Sequence, residues 1–245
     1  KKSTLNQIIQ RGELQVCMEP GYMPFEMKDK KGRIIGYDVD MAKRMAKDMG
    51  VKLKLLPTAW DGIIAALVTS KCDIIMSGMT ITQQRNLKVN FANPYVVVGQ
   101  TVLMKKGINA KTAKDLDKPE YTVVTKLGVT GEVATRKFFK KAKIITFETE
   151  SDAAAEVLSG RADAFVYDQP FNILFMSDKG KDKLVHLDNP LTYEPLGWAI
   201  RKGDPDFLNW LNNFLRQVKE DKVVNFYDNL NEKWLRDTDW LKRVQ

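Results

Sequence analysis

Residues 73–85 read DIIMSGMTITQQR, and this stretch decides the fold that we predict. Residues 73–76 are mostly apolar and end at a Ser-Gly turn signal, which indicates a short buried strand. Thr82 is placed to cap a short helix, and Arg85 lies three residues into it. Ligands of open α/β sheets bind beyond the carboxyl ends of the strands. The hydroxyls, the glycine and the arginine guanidinium that follow this strand are therefore suited to binding a carboxylate group. The alternative is an ordinary strand-to-helix connection with a solvated arginine.

The chain before this stretch alternates between strands and helices. We predict strands over residues 14–18 and 51–56, and helices over residues 41–49 and 58–68. Asp38 is a plausible N-cap of the first of these helices. With the strand at residue 73 the order is βαβαβ, which implies a parallel sheet with right-handed crossovers.

Two extended runs divide the rest of the chain. Residues 96–104 form a long extended run, a second α/β series follows, and residues 196–201 form another extended run before a helical tail. The two runs bracket the second series like paired crossings between two lobes. We therefore predict that residues 1–98 and 196–245 form a discontinuous first lobe and that residues 99–195 form the second. A ligand is expected in the cleft between lobes, where pockets commonly lie.

The composition indicates a globular protein with a large core. The 245 residues are 44% hydrophobic and 29% charged, which does not fit a disordered chain. The net charge is +8, but the lysines are spread along the chain and no nucleic-acid-binding motif accompanies them, so we expect no nucleic-acid partner. No run approaches the roughly 18 apolar residues that a membrane span needs. The sequence begins at Lys1 without an apolar signal segment, so we expect that any export signal was cleaved or never existed.

Two cysteines do not make a disulfide framework. Cys17 lies late in one predicted strand and Cys72 lies just before another. In parallel neighbouring strands the two residues would be offset along the strand direction, so we expect two free, mostly buried thiols.

A series of motifs runs through the chain in order: YMPF at 22–25, IGYDVD at 35–40, SGMTIT at 77–82 with Arg85, NPY at 93–95, GVTG at 128–131, and GRADA at 160–164 followed by Asp168. Over essentially its whole length the chain thereby resembles the polar amino-acid-binding proteins of ABC importers. The resemblance implies an α/β, two-lobed periplasmic binding protein-like fold (type II), with two doubly wound sheets joined by two hinge crossings. It also implies a monomer that works with ABC permease subunits in the periplasm, or outside the cytoplasm on a lipid anchor, without a cofactor or a metal.

The resemblance assigns roles to individual residues. Arg85 should pair with the ligand carboxylate in bidentate fashion, assisted by backbone N–H groups near Thr80 and Thr130. Asp168 should accept hydrogen bonds from the α-ammonium group, helped by the Gly78 carbonyl and the Thr80 hydroxyl; an N-cap role before a helix is its alternative. Gly78 replaces a serine that is often found in the family. The implied ligand-binding set is Glu19, Tyr22, Trp60, Ser77, Gly78, Thr80, Arg85, Thr130 and Asp168.

Three residues of this set point to the ligand's side chain. Tyr22 and Trp60 lie where the family places aromatic rings around the aliphatic stem, and Glu19 lies where relatives that take basic amino acids carry an acid. An aromatic slot closed by a carboxylate suits lysine, arginine or ornithine. The alternative is that the two rings belong to the core and that Glu19 is a solvated loop acid.

Two other functions remain in competition. Cyclohexadienyl (prephenate/arogenate) dehydratases have the same fold, and Tyr22 and residues 58–60 also resemble the matching residues of those enzymes. Those enzymes use a glutamate general acid at the position that matches Phe171 of this chain, and an asparagine where it has Gly131, so we predict that this chain is not an enzyme. The lone His186 is better read as structural. Ligand-sensing modules of receptors also resemble this fold.

Overall fold

The computed structural model describes residues 3–244. In chain order the strands are β1 (Glu13–Met18), β2 (Gly21–Tyr22), β3 (Glu26–Lys28), β4 (Ile34–Ile35), β5 (Lys52–Pro57), β6 (Ile74–Ile75), β7 (Asn90–Phe91), β8 (Val96–Val98), β9 (Gln100–Lys105), β10 (Thr122–Lys126), β11 (Lys143–Phe147), β12 (Ala164–Asp168), β13 (Leu184–Leu187), β14 (Glu194–Leu196) and β15 (Ala199–Ile200). The α-helices are α1 (Thr4–Arg11), α2 (Tyr37–Met49), α3 (Trp60–Val68), α4 (Gln83–Asn86), α5 (Thr130–Phe138), α6 (Glu150–Leu158), α7 (Gln169–Phe175), α8 (Pro205–Glu220) and α9 (Phe226–Asn231). No helix within this range is long and apolar enough to cross a membrane.

The chain divides into two compact units. Unit 1 comprises Lys1–Val96 and Pro195–Gln245, and unit 2 comprises Val97–Glu194. The chain therefore leaves unit 1 within β8 and returns to it within β14. The α/β architecture with two separate mixed sheets confirms the predicted fold class.

Unit 1 is built on a five-stranded sheet in the order β5-β1-β6-β15-β7. The pairs of β1 with β5 and with β6 are parallel, whereas β15 runs antiparallel to β6 and β7. The strands alternate with α2 and α3, as the sequence pattern predicts. A small antiparallel sheet of β2, β3 and β4 precedes α2. The central strand β6 is buried, and the loop that follows it carries several of the predicted ligand residues.

The helix α2 begins earlier than predicted, at Tyr37, with Gly36 in the N-cap position. The prediction that Asp38 caps this helix is therefore wrong. Gly36 has φ +143°, and a Cβ on it would stand 2.6 Å from the Phe25 carbonyl carbon, so glycine alone fits this close approach. Asp38 consequently lies inside the first turn, and its side chain is buried.

Unit 2 repeats the plan of unit 1. Its sheet has the order β11-β10-β12-β9-β13, with β10 parallel to β11 and β12, and β9 antiparallel to β12 and β13. The core on this sheet combines buried residues of β9, β10 and β12, including Val102, Val123 and Val166. A short 3-10 helix over Ala113–Leu116 and a π-helical turn over Met176–Gly180 complete the unit.

The two cysteines form a disulfide, so the prediction of two free thiols is wrong. Cys17 and Cys72 are both buried, and their Cα atoms are 5.8 Å apart. The prediction placed Cys72 just before a strand that begins at Asp73 and treated it as lying on the line of that strand, but residues 70–73 form a turn and bends after α3. Because the chain enters β6 from this turn, the offset expected between parallel strands does not apply to Cys72.

Candidate functional site

The loop after β6 begins with Ser77 and Gly78 in a tightly fixed conformation. Gly78 has φ +54°, and its N–H donates to Asp38 Oδ2 at 2.8 Å. A Cβ on Gly78 would stand 2.5 Å from Cδ1 of the buried Tyr22 ring. The serine expected from the family therefore has no room while the Tyr22 ring keeps this position. The ring also packs against Phe25, with centroids 4.8 Å apart.

Arg85 is oriented by contacts with its own loop and with α3. Thr82 caps α4 by accepting a hydrogen bond from the Arg85 N–H, which confirms the predicted cap. The Arg85 guanidinium donates to the Thr80 carbonyl through Nη1 at 2.8 Å. Its carbon lies 5.4 Å from the centre of the Trp60 ring, within the range of a cation–π contact. Three predicted ligand residues, Thr80, Arg85 and Trp60, thus meet within unit 1.

Glu19 is joined to the same loop through Ser77. The Glu19 N–H donates to Ser77 Oγ at 2.9 Å, and the Ser77 hydroxyl donates to Glu26 Oε1 at 3.0 Å. A hydroxyl has one proton, so this contact uses the donor capacity of Ser77. The role of Ser77 in this arrangement is to hold the end of β1 against the end of β6.

A buried pair of acids beneath this loop was missed by the sequence reasoning. Glu26 and Asp38 have no solvent exposure and hydrogen-bond to each other. Among the described residues, Glu26 Oε2 and Asp38 Oδ1 are buried oxygens that receive no donor from another group. Two carboxylates can approach in this way only if they share a proton. The available signal was that Asp38 lies within the motif at 35–40 and that Glu26 directly follows the motif at 22–25, each between apolar neighbours.

Burial is the main cause of the altered ionisation of this pair. It raises the pKa of Glu26 well above its usual value, and the neighbouring Asp38 charge adds to the effect. Burial also raises the pKa of Asp38 to about 6, against the opposing effect of hydrogen bonds from Glu26, Tyr95 and the Gly78 N–H. Glu26 is therefore the member of the pair that keeps the shared proton, and it donates to the Asp38 carboxylate.

Unit 2 brings Asp168 and Thr130 together through Gln100. Asp168 ends β12 and is buried, and Thr130 begins α5. The Gln100 Nε2 hydrogen-bonds to Asp168 Oδ1 and lies 3.4 Å from Thr130 Oγ1. Asp168 occupies the N-cap position of α7, but its side chain makes no capping hydrogen bond. The carboxylate is therefore directed to Gln100 rather than to the helix end.

Gln100 is a further residue whose role the sequence did not predict. It begins β9, is fully buried, and stands directly opposite Asp168 in the antiparallel pairing of β9 with β12. A glutamine inside an apolar extended run was the only signal, and the run alone does not specify its partner strand. Within residues 3–244, no group of three His, Cys, Asp or Glu side chains is arranged to hold a metal ion.

Comparison with known proteins adds an independent observation. The model of the family described as bacterial extracellular solute-binding proteins, family 3, matches residues 14–237. The L-cystine-binding protein TcyJ of Escherichia coli is 31% identical over 232 residues, which cover 94% of this chain and 85% of that protein.

Two solved structures are more similar in sequence. A Wolinella succinogenes protein solved in complex with lysine is 63% identical, with a TM-score of 0.91, and the match covers 95% of this chain and 99% of that chain. The ancestral amino-acid-binding protein AncCDT-1, described as a precursor of cyclohexadienyl dehydratase, is 50% identical, with a TM-score of 0.88. That match covers 96% of this chain and 100% of the ancestral chain.

Proposed function

The chain belongs to family 3 of the bacterial extracellular solute-binding proteins, and we propose that its solute is a basic L-amino acid: lysine, arginine or ornithine. We propose further that it works outside the cytoplasm as a periplasmic or lipid-anchored receptor and delivers the amino acid to the permease of an ABC transporter. It performs no chemical reaction on the ligand.

The orientation of Arg85 carries the proposal. Its guanidinium is held by the Thr80 carbonyl and the Trp60 ring, so its planar fork is ordered before a ligand arrives. An ordered guanidinium suits the two oxygens of a carboxylate, and charge-assisted hydrogen bonds contribute about 1.5–3 kcal/mol each. In unit 2, the buried Asp168 supplies an anion that suits an α-ammonium group.

The preference for a basic side chain rests on Glu19 and two aromatic rings. Glu19 follows β1, and its backbone is tied to Ser77 in the site loop. Trp60 and Tyr22 lie in the same unit, and aromatic faces attract the cationic end of a long aliphatic side chain. The relative that is 63% identical was solved in complex with lysine, which supports this ligand class.

The dehydratase alternative finds no proton donor at the expected position. Phe171 is buried, and its ring packs against Phe165, Tyr167 and Phe175. A Cβ on Gly131 would stand 2.8 Å from Gln100 Oε1, so an asparagine there would displace Gln100. Elimination of the carboxylate from prephenate or arogenate needs a general acid, and position 171 supplies none.

Calorimetry of the purified protein tests the proposal. We expect heat of binding with lysine, arginine or ornithine, weaker or no binding with glutamine, histidine and cystine, and no product from prephenate or arogenate. Asp168→Ala should weaken binding of the basic amino acid by roughly tenfold or more, the loss of at least one charge-assisted bond. Unchanged affinity in this variant, or turnover of either cyclohexadienyl substrate, would overturn the proposal.

A second variant tests the ligand class. Glu19→Gln should lower the affinity for basic amino acids by roughly tenfold, because it removes the charge but preserves the size of the side chain. Glu220→Gln, at the exposed end of α8, is the matched control and should bind as the wild type does. An equal loss for neutral amino acids in Glu19→Gln would argue against a role in recognising the basic side chain.

A further inference from the structure

We propose that Gln100 is a positioning residue that fixes the ligand-binding orientation of Asp168 and Thr130 in unit 2. This inference rests on the proposed function, because it concerns how the anion for the α-ammonium group is held. Gln100 itself is buried and acts through its two neighbours.

The strand register places Gln100 beside Asp168. The two residues pair directly across β9 and β12, so their side chains project from the same face of the sheet. The main chain of Gln100 is itself held, since its N–H donates to Thr192 Oγ1 at 3.1 Å and its carbonyl accepts from the Leu191 N–H at 2.7 Å. The amide group therefore extends from a backbone position that is fixed on both sides.

The chemistry of the neighbours determines which way the amide faces. An ionised carboxylate only accepts hydrogen bonds, so Gln100 must present Nε2 to Asp168. The same nitrogen lies 3.4 Å from Thr130 Oγ1, and a threonine hydroxyl that accepts from it keeps its own proton for another acceptor. Gln100 thus engages one Asp168 oxygen and orients a Thr130 hydroxyl that can donate to a ligand carboxylate.

The carbonyl end of the Gln100 amide accounts for the glycine at position 131. Gln100 Oε1 is buried and accepts no hydrogen bond from any residue in the described range. It lies 2.8 Å from the position that a Cβ on Gly131 would occupy, with Thr125 Oγ1 at 3.3 Å from the same point. Only glycine at position 131 leaves the amide in place, because any side chain would push on the flexible end of Gln100.

Two variants of matched size test the proposal by calorimetry with lysine. Gln100→Met and Gln100→Glu both fill the space of the glutamine, and neither presents an amide donor to Asp168. We expect each to bind lysine about tenfold more weakly than the wild type, the effect of losing a hydrogen bond to a charged group. Gln169→Met is the control, because Gln169 adjoins Asp168 in sequence but hydrogen-bonds to Asp188 instead. Wild-type affinity in both Gln100 variants would overturn the inference.

A double-mutant cycle separates positioning from general damage to the unit. In the Asp168→Asn background, Gln100→Met should lower lysine affinity by clearly less than the tenfold expected in the wild type, because only the part of its effect that passes through Thr130 remains. An independent tenfold loss in that background would refute action through Asp168. If Asp168→Asn itself binds lysine normally, the proposed function is wrong; if it binds weakly and Gln100→Met binds normally, only the present inference is wrong.

Gly131→Ala provides a test that leaves Gln100 unchanged. The added methyl should displace the Gln100 amide and weaken lysine binding, and combining it with Gln100→Met should cause no further loss. Full wild-type affinity in Gly131→Ala would contradict the positioning role.

Discussion

The Arg85 guanidinium carbon lies 5.4 Å from the centre of the Trp60 ring, and the same guanidinium donates to the Thr80 carbonyl at 2.8 Å. Trp60 begins α3 and Arg85 lies in α4, so residues of two helices in unit 1 together position this guanidinium. Side chains ordered in this way lose less conformational entropy when a ligand binds. Under the proposed function, the charge of Arg85 and its restricted orientation would both favour binding of the ligand carboxylate.

We predict that Arg85→Lys binds lysine at least about tenfold more weakly than the wild type. A lysine retains the charge but lacks the planar fork that matches a carboxylate and donates in a fixed direction. Isothermal titration calorimetry measures the change. Arg216→Lys, on the exposed face of α8, should leave the affinity unchanged. Equal affinities of Arg85→Lys and wild type would show that bidentate pairing is not needed.

Gly78→Ala should destabilise unit 1 by about 1–3 kcal/mol and weaken ligand binding. Its Cβ would collide with the Tyr22 ring, which is buried against Phe25, and the φ of +54° is strained for alanine. Urea unfolding followed by tryptophan fluorescence reports on unit 1, because all five tryptophans lie in its sequence. Gly62→Ala in α3 is the control, because nothing lies within 4 Å of its Cβ position. If the two variants are equally stable, the contact with Tyr22 does not constrain position 78.

Glu26→Gln should remove part of the pH dependence of stability. The folded protein keeps Glu26 protonated well above the pH near 4.5 at which the unfolded chain ionises it, because burial raises its pKa, so over that range the folded state binds more protons. The contribution of Glu26 to wild-type stability should therefore fall as pH rises above about 4.5, by at most about 1.4 kcal/mol per pH unit, until the raised pKa of folded Glu26 is passed. The glutamine keeps a donor for Asp38 and cannot ionise, so its slope should be smaller.

The same fluorescence-monitored unfolding, carried out between pH 5 and 8, measures this slope. Glu220→Gln alters an exposed glutamate and should keep the wild-type slope. A Glu26→Gln variant with the wild-type slope would show that Glu26 is ionised in the folded protein at these pH values.

Removing the disulfide should lower the stability of unit 1. Cys17 and Cys72 are 55 residues apart, and closing a loop of this length restricts the unfolded chain by about 4 kcal/mol in the chain-entropy model. The Cys17→Ser/Cys72→Ser double variant should therefore unfold at lower urea than the oxidised wild type. Reduction with dithiothreitol should bring the wild type close to the variant and leave the variant unchanged. A wild type that does not respond to reductant under unfolding conditions would contradict this prediction.

Much of the fold follows from local sequence pattern. The alternation of strands and helices, the cap of Thr82 on α4 and the short buried strand before Ser77 were all predicted, and the structure confirms them. The matching family model confirms the family prediction. The roles of the nine predicted ligand residues remain predictions. The contact of Arg85 with Trp60 supports them within unit 1, and the buried Asp168 carboxylate supports them within unit 2.

The sequence by itself determined the features that depend on neighbours within a few residues. A cap, a turn or a helix face is set by hydrogen bonds and side-chain spacing over three or four positions, so residues 73–85 contain the information for their own conformation. Tertiary structure alone decided the pairing of Cys17 with Cys72, the shared proton of Glu26 and Asp38, and the contact of Gln100 with Asp168. The partners in these pairs are 12 to 68 residues apart, and their distance depends on strand register and on the path of intervening turns, which no local pattern specifies.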